Sequence, residues 1–212
     1  MNETPANDPR SGDFATSLGS LVSGRLRFLR GASDVIVHAD YSTGDLYHSH
    51  FGGVAPEVWT EGGVVNIRYP RFFHPFGQRG CSGKVALNAA IPWHFEVRDG
   101  ASKVTADLSQ LKLDSFEIAG GASKVELTLP RVSGLVPVRV LGGASNVVIH
   151  RPEGVATRLL VVDGSTNLTF DDQRFGAVGG EVNLQSANYD GVPERYDITI
   201  TGGASNVTLD TQ

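Results

Sequence analysis

From Arg25 onward, apolar and polar residues alternate with a period of two in short runs. In Arg25-Leu26-Arg27-Phe28, the apolar pair shares one face and the arginine pair the other, as in a half-buried strand. Such a run leads into a glycine corner, and a second alternating run leads out. Phe116-Glu117-Ile118 enters the corner at Gly121, Val136 to Val140 the one at Gly143, and Tyr196 to Ile200 the one at Gly203. The corner itself recurs as Gly-Gly-Ala-Ser-Asn-Val at 142–147 and 202–207, and in near copies at 30–35, 99–104 and 120–125. Before Arg25 the spacing differs. Phe14, Leu18, Leu21 and Val22 fall at i, i+4, i+7 and i+8, which predicts a short capping helix over 13–24 behind a disordered tail of 1–12.

Degenerate corners fill the gaps, at Gly62-Gly63, Gly80 to Lys84, Gly164 and Gly179-Gly180. Aligned on the residue before the first apolar one, the copies centre on Asp34, Asn66, Lys84, Lys103, Lys124, Asn146, Asn167, Asn183 and Asn206. Apart from one insertion, the steps cluster near 20 residues. Two short strands per period with glycine at a fixed corner predict an all-β fold, a single-stranded β-solenoid (β-helix) of about nine coils over 25–212. Irregular insertions are expected near 41–56 and 69–80. Because one coil cannot bury its apolar face alone, neighbours stack at about 4.8 Å and share a continuous core.

The corner has a chemical logic. If alternation runs unbroken, Val125 and Leu127 point in, and so does Ser123. The hydroxyls of Ser33, Ser102, Ser123, Ser145, Thr166 and Ser205 then form an inward column. Gly31, Gly100, Gly121, Gly143 and Gly203 are expected to supply a positive φ or a close backbone approach, and Ala keeps the corner thin. Asn tolerates left-handed corners and forms amide ladders between stacked strands, so Asn146, Asn167, Asn183 and Asn206 are expected to stack.

The pattern Gly-Gly-Ala-Ser-(Lys/Asn)-Val-x-Leu resembles the bacterial toast-rack and adhesin-type β-solenoid domains, including the C-terminal domain of LiaF-like cell-envelope-stress proteins. The likeness is best over 97–210 and weaker before Pro92. It implies an interaction or sensing module at the envelope, not an enzyme. Bactofilins, β-solenoids that polymerise end to end, are a more distant likeness in architecture.

Composition narrows the classes. The net charge of −5 argues against a general nucleic-acid binder. One cysteine, Cys81, excludes an internal disulfide. No apolar run is long enough to span a bilayer, so no membrane insertion is expected. The polar start, Met1 to Pro9, lacks the apolar core of a signal peptide and suggests a cytoplasmic protein. No cofactor motif is present.

Candidate chemistry sits where the repeat breaks. His48, His50, His74 and Cys81 could bind zinc if their loops met, although their spacing matches no metal motif. Alternation puts His48 and His50 on one strand face. Trp59, Phe72, Phe73, Phe76 and Trp93 read either as a binding patch or as a lid over the coil wall. Lys84, Lys103 and Lys124 should stack on successive coils, which suggests an anion partner unless Asp107 and Glu126 neutralise them. Asp171-Asp172 and Glu194 offer no carboxylate pair at glycosidase spacing. The expected function is a non-enzymatic interaction or assembly scaffold. It would self-associate through coil ends or bind a protein partner, because the last coil, ending at Asp210, leaves no residues to cap it. A carbohydrate-active or carbohydrate-binding rod, and a small-molecule or metal sensor using the 41–80 loops, are the alternatives.

Overall fold

The computed structural model describes residues 12–70 and 82–212. The tail ahead of Gly12, with His74, Cys81, Phe72, Phe73 and Phe76, lies outside them. In chain order the strands are β1 (Asp13–Ser17), β2 (Gly24–Phe28), β3 (Ala32–Asp40), β4 (Asp45–Gly52), β5 (Glu57–Glu61), β6 (Val64–Arg68), β7 (Ser82–Asn88), β8 (Pro92–Val97), β9 (Ala101–Asp107) and β10 (Lys112–Ile118). They continue as β11 (Ala122–Thr128), β12 (Leu135–Val140), β13 (Ala144–Arg151), β14 (Ala156–Val161), β15 (Ser165–Phe170), β16 (Gln173–Val178), β17 (Val182–Gln185), β18 (Arg195–Ile200) and β19 (Ala204–Thr211). A 3-10 turn, Tyr189–Gly191, precedes β18.

The strands form two sheets, one of ten and one of nine. Each coil contributes one strand to each sheet, and the glycine corner carries the chain from the second sheet to the first. Among the described residues seven such strand pairs are stacked in parallel: β2–β3, β6–β7, β8–β9, β10–β11, β12–β13, β14–β15 and β18–β19. The expected nine coils therefore become seven, and two of the aligned corners are something else. Gly62 and Gly63 both have positive φ, 55° and 81°, and form the two-residue hairpin joining β5 to β6. Gly179-Gly180 does cross between the sheets, but in the opposite sense, from β16 in the first to β17 in the second, and Asn183 lies in a strand antiparallel to β14.

The coils do not stack in sequence order. In the first sheet the order is β1-β4-β7-β3-β9-β11-β13-β19-β15-β16, and in the second β17-β14-β18-β12-β10-β8-β2-β6-β5. The first coil, β2–β3, lies between the second and third. The last coil, β18–β19, lies between β12–β13 and β14–β15. The C-terminal strand is thus an interior strand, which overturns the expectation of an uncapped last coil. Antiparallel strands cap both ends of the stack instead: β4 with β1, and β5, at one; β16 and β17 at the other.

The expected helix over 13–24 is strand β1, whose Phe14 is buried against Phe51 at the end of the first sheet. An open sheet edge beside an apolar residue is better satisfied by one more strand than by a helix carrying Gly19, which has a φ of 54°. The insertion near 41–56 is likewise regular, since β4 pairs in register with β7.

The core lies between the sheets. Val125 and Leu127 face Phe116 and Ile118, and every coil repeats the arrangement. Phe28, Phe95 and Phe116 stack on three successive coils, the last pair at 4.6 Å with rings nearly parallel. Each such fully buried side chain contributes roughly 1.5–3 kcal/mol. Trp93 is 1% exposed, packs over Gly24, and donates its indole N–H to Asn88 O at 2.8 Å.

Candidate functional site

The corner reverses part of the expected register. In β11 the buried residues are Ala122, Val125 and Leu127, while Ser123 is half-buried and Lys124 exposed. Ala points in and Ser points out. The cause is a left-handed residue in the middle of the motif: φ is 53° at Asp34, Lys103, Asn146 and Asn167, 54° at Lys124 and 52° at Asn206. One such residue makes a bulge, so two consecutive side chains face outward before alternation resumes. The bulges stack in phase, and Ser123 pairs with Ser145, then Val125 with Val147. Positive φ therefore falls on the Asp/Lys/Asn position. Among the described glycines that lead into the parallel strands of the first sheet, Gly31 (75°) and Gly164 (83°) adopt it. Several others serve close approach, the clearest case being Gly120, where an added Cβ would lie 1.4 Å from Asp99 O.

The outer wall of the first sheet is thereby built of rows that run along the stack. The outermost row is Ser33, Ser102, Ser123, Ser145, Ser205, Thr166. Beside it run the left-handed residues, in the order Asp34, Lys103, Lys124, Asn146, Asn206, Asn167. The amides of the last three are linked: Asn167 donates to Asn206 at 3.0 Å, and Asn206 to Asn146 at 3.1 Å. Asn206 stands between the other two because the last coil is interleaved. Lys84 is not in this row; it pairs across β3 with Ile36, and Asp34 is the neighbour of Lys103. The lysine row is two residues long and carries an acid at one end. A shallow hollow of about 420 Å³ opens along these rows, lined by Asp34, Ile36, Lys103, Lys124, Glu126 and Asn146.

His48 and His50 share the outward face of β4, as alternation predicts. Each is engaged by carboxylates. His48 Nε2 donates to Asp40 Oδ2 at 2.9 Å, and His50 Nδ1 to Asp13 Oδ1 at 2.6 Å. The Ser42 hydroxyl and backbone N–H also donate to Asp40, and with His48 they hold its carboxyl down to about 2. Among the described residues no group of three or more His, Cys, Asp or Glu is placed to hold a metal. The aromatic patch is not assembled from its described members. Trp93 is in the core, since its position in β8 alternates inward, and Trp59 lies on β5 beneath the Arg68 guanidinium at 5.2 Å.

Several ion pairs join residues well separated in the chain. Arg151 is 5% exposed and donates to Asp171 at 2.6 and 2.8 Å and to Val155 O at 2.7 Å. His150 Nδ1 meets Asp210 Oδ1 at 2.5 Å, because β19 lies beside β13. Arg158 donates to Asp197, and its guanidinium and that of Arg195 both lie against the Tyr189 ring, at 5.2 and 4.9 Å from its centre. Glu96 receives Arg27 and Arg98, each at 2.8 Å. Burial raises its carboxyl, but these cations outweigh burial and hold it below the usual range. No periodicity signals these pairs, which depend on which coils become neighbours.

A crystal structure described as a "putative cell adhesion protein" from Clostridium sporogenes ATCC 15579 has the same fold. It superposes with a TM-score of 0.75 at 16% identity, covering 94% of this chain and 98% of its own. No curated protein matches the chain. The family model described as the N-terminal domain of toast_rack, DUF2154, matches residues 20–150. That match takes in β4 and β5 of the N-side cap and the first coils, and ends before the last copy of the corner motif. With well over half of its length matched, the chain belongs to the toast_rack N-terminal domain family.

Proposed function

We propose that the protein is a non-enzymatic interaction module of adhesin or scaffold type, which presents the outer wall of its coil stack to a partner and associates with its own kind through the stack ends. The observation that carries this reading is the wall itself. Hydroxyl, amide and ammonium groups repeat in register over six coils, on an open surface without a deep cleft. Several acids elsewhere on the molecule are occupied. Asp40, Glu96, Asp171, Asp197 and Asp210 each hold a cation or histidine, an arrangement suited to structure and unlike the paired carboxylates of glycoside chemistry. The fold likeness to a protein described as adhesive agrees with this reading.

The test is retention of immobilised protein on bacterial envelope preparations and on a glycan panel, beside the double variant Lys103→Glu/Lys124→Glu. Binding that falls at least tenfold in a variant with unchanged melting supports the wall as the contact. Equal binding by both proteins, or release of reducing ends from a polysaccharide, overturns it. We place the protein in the cytoplasm, where its lone cysteine would stay reduced. Its recovery from the surface fraction would contradict that placement.

A further inference from the structure

Lys103 and Lys124 break two local rules at once. Each occupies the left-handed position of its coil, with φ of 53° and 54°, where lysine is disfavoured. Strands β9 and β11 pair in register, so the two stand level on neighbouring coils, about 4.8 Å apart at the backbone. Like charges set side by side repel. In the next three coils the same position holds Asn146, Asn206 and Asn167, which tolerate the conformation and carry no charge.

The acids expected to neutralise the pair are engaged elsewhere. Asp107 accepts the backbone N–H and the hydroxyl of Ser109, and Glu126 Oε1 stands 3.9 Å from His150 Nε2. Asp34, level with Lys103 on β3, forms no ion pair with it. Among the described residues neither ammonium has an ion pair or a hydrogen bond. Unrelieved backbone strain of this kind collects at binding sites.

We propose that the lysine pair is an oxyanion site, which takes a phosphate or sulfate ester carried on a saccharide chain. The inference rests on the reading of the wall as the contact surface and names its ligand. Two flexible ammonium groups one coil apart can close on the oxygens of a single tetrahedral anion. The Ser102 and Ser123 hydroxyls lie beside them, exposed and half-buried. Beyond Lys124 the row continues in neutral groups. Asn206 donates to Asn146 and accepts from Asn167, which leaves it one N–H and one oxygen lone pair. Such a row suits sugar hydroxyls, so a saccharide anchored by its ester on the lysines lies along the stack over the amides. A polyanion such as a nucleic acid finds no second cation pair in the row, which ends on Asp34 at one side and continues as asparagine at the other.

Calorimetry on the full chain tests this with maltotriose, its monophosphate and monosulfate esters, and inorganic phosphate. The double variant Lys103→Asn/Lys124→Asn is run beside the natural protein. At least one ester should bind, with maltotriose and inorganic phosphate at least tenfold weaker, and its affinity should fall as salt rises. A preference for one ester supports the site and identifies the source of the anion. The asparagine pair should lose ester binding at least tenfold while melting no lower than the natural protein, because it gives both coils the residue their neighbours already carry. Ester binding unchanged in that variant would overturn the proposal. So would esters held no tighter than maltotriose or inorganic phosphate, or a single-stranded oligonucleotide held as tightly as the esters. Envelope retention that survives the asparagine pair but not the glutamate pair refutes the oxyanion site and leaves the wall as the contact.

Discussion

A single backbone angle sets the character of the wall. The residue after the corner serine is left-handed in six coils, and its side chain decides what that conformation costs. Asn and Asp tolerate the region, whereas a lysine there is held against a preference of about 1–2 kcal/mol. Lys124→Asn should therefore raise stability by about 1 kcal/mol and extend the amide row by one coil. Asn206→Ala should lower it by about 1–2 kcal/mol, since it removes two side-chain hydrogen bonds and leaves alanine in the same region. Denaturant unfolding of the two variants measures both. The corner was legible in the sequence as a repeat, but its inside and outside were not. Strict alternation sends Ser123 inward; the bulge at Lys124 sends it outward and puts Ala122 in its place.

At the level of strands, the caps are where the chain departs from its repeat, and there polar contacts replace coil-on-coil identity. The turn from β3 to β4 is held by Asp40, whose carboxylate accepts from Ser42 and His48. Its carboxyl is lowered from 3.8 to about 2, so the native state favours the ionised form. The resulting stabilisation is complete above pH 4 and disappears as pH falls through about 2. Asp40→Asn should be less stable than the natural protein at neutral pH, and the two should converge on acidification toward pH 2. Acid titration of the unfolding midpoint shows whether they do. The cap strands were harder to read than the coils. Phe14, Leu18 and Leu21 fit a helical stripe by spacing alone, yet an edge that needs backbone partners takes a strand there. The Gly62-Gly63 pair resembled a corner in letters but closes a hairpin, a difference set by strands on either side that share one sheet.

On the scale of the whole molecule, the all-β coil stack and its core were legible from a period near 20 and from glycine placement. The order of the coils was not, because every copy of the corner offers nearly the same edge to its neighbours. Ala204 matches Ala144 on one side and Ser165 on the other, so local pairing energy differs little between the interleaved and the sequential stack. The choice falls to the caps and to distant pairs such as His150–Asp210, which only the interleaved order brings together. Interleaving also gives the rod a mechanical character. In a sequential stack, tension on a terminus peels one coil at a time from a single neighbour. Here a pull on the C-terminus loads a coil held by neighbours on both sides in both sheets, and a pull on the N-terminus meets the same arrangement once β1 has come away. Stretching single molecules between their termini should give one abrupt rupture rather than a staircase of steps near 20 residues. A staircase would mean that the end coils slip out singly. A module built this way should carry load between its ends without unravelling one coil at a time.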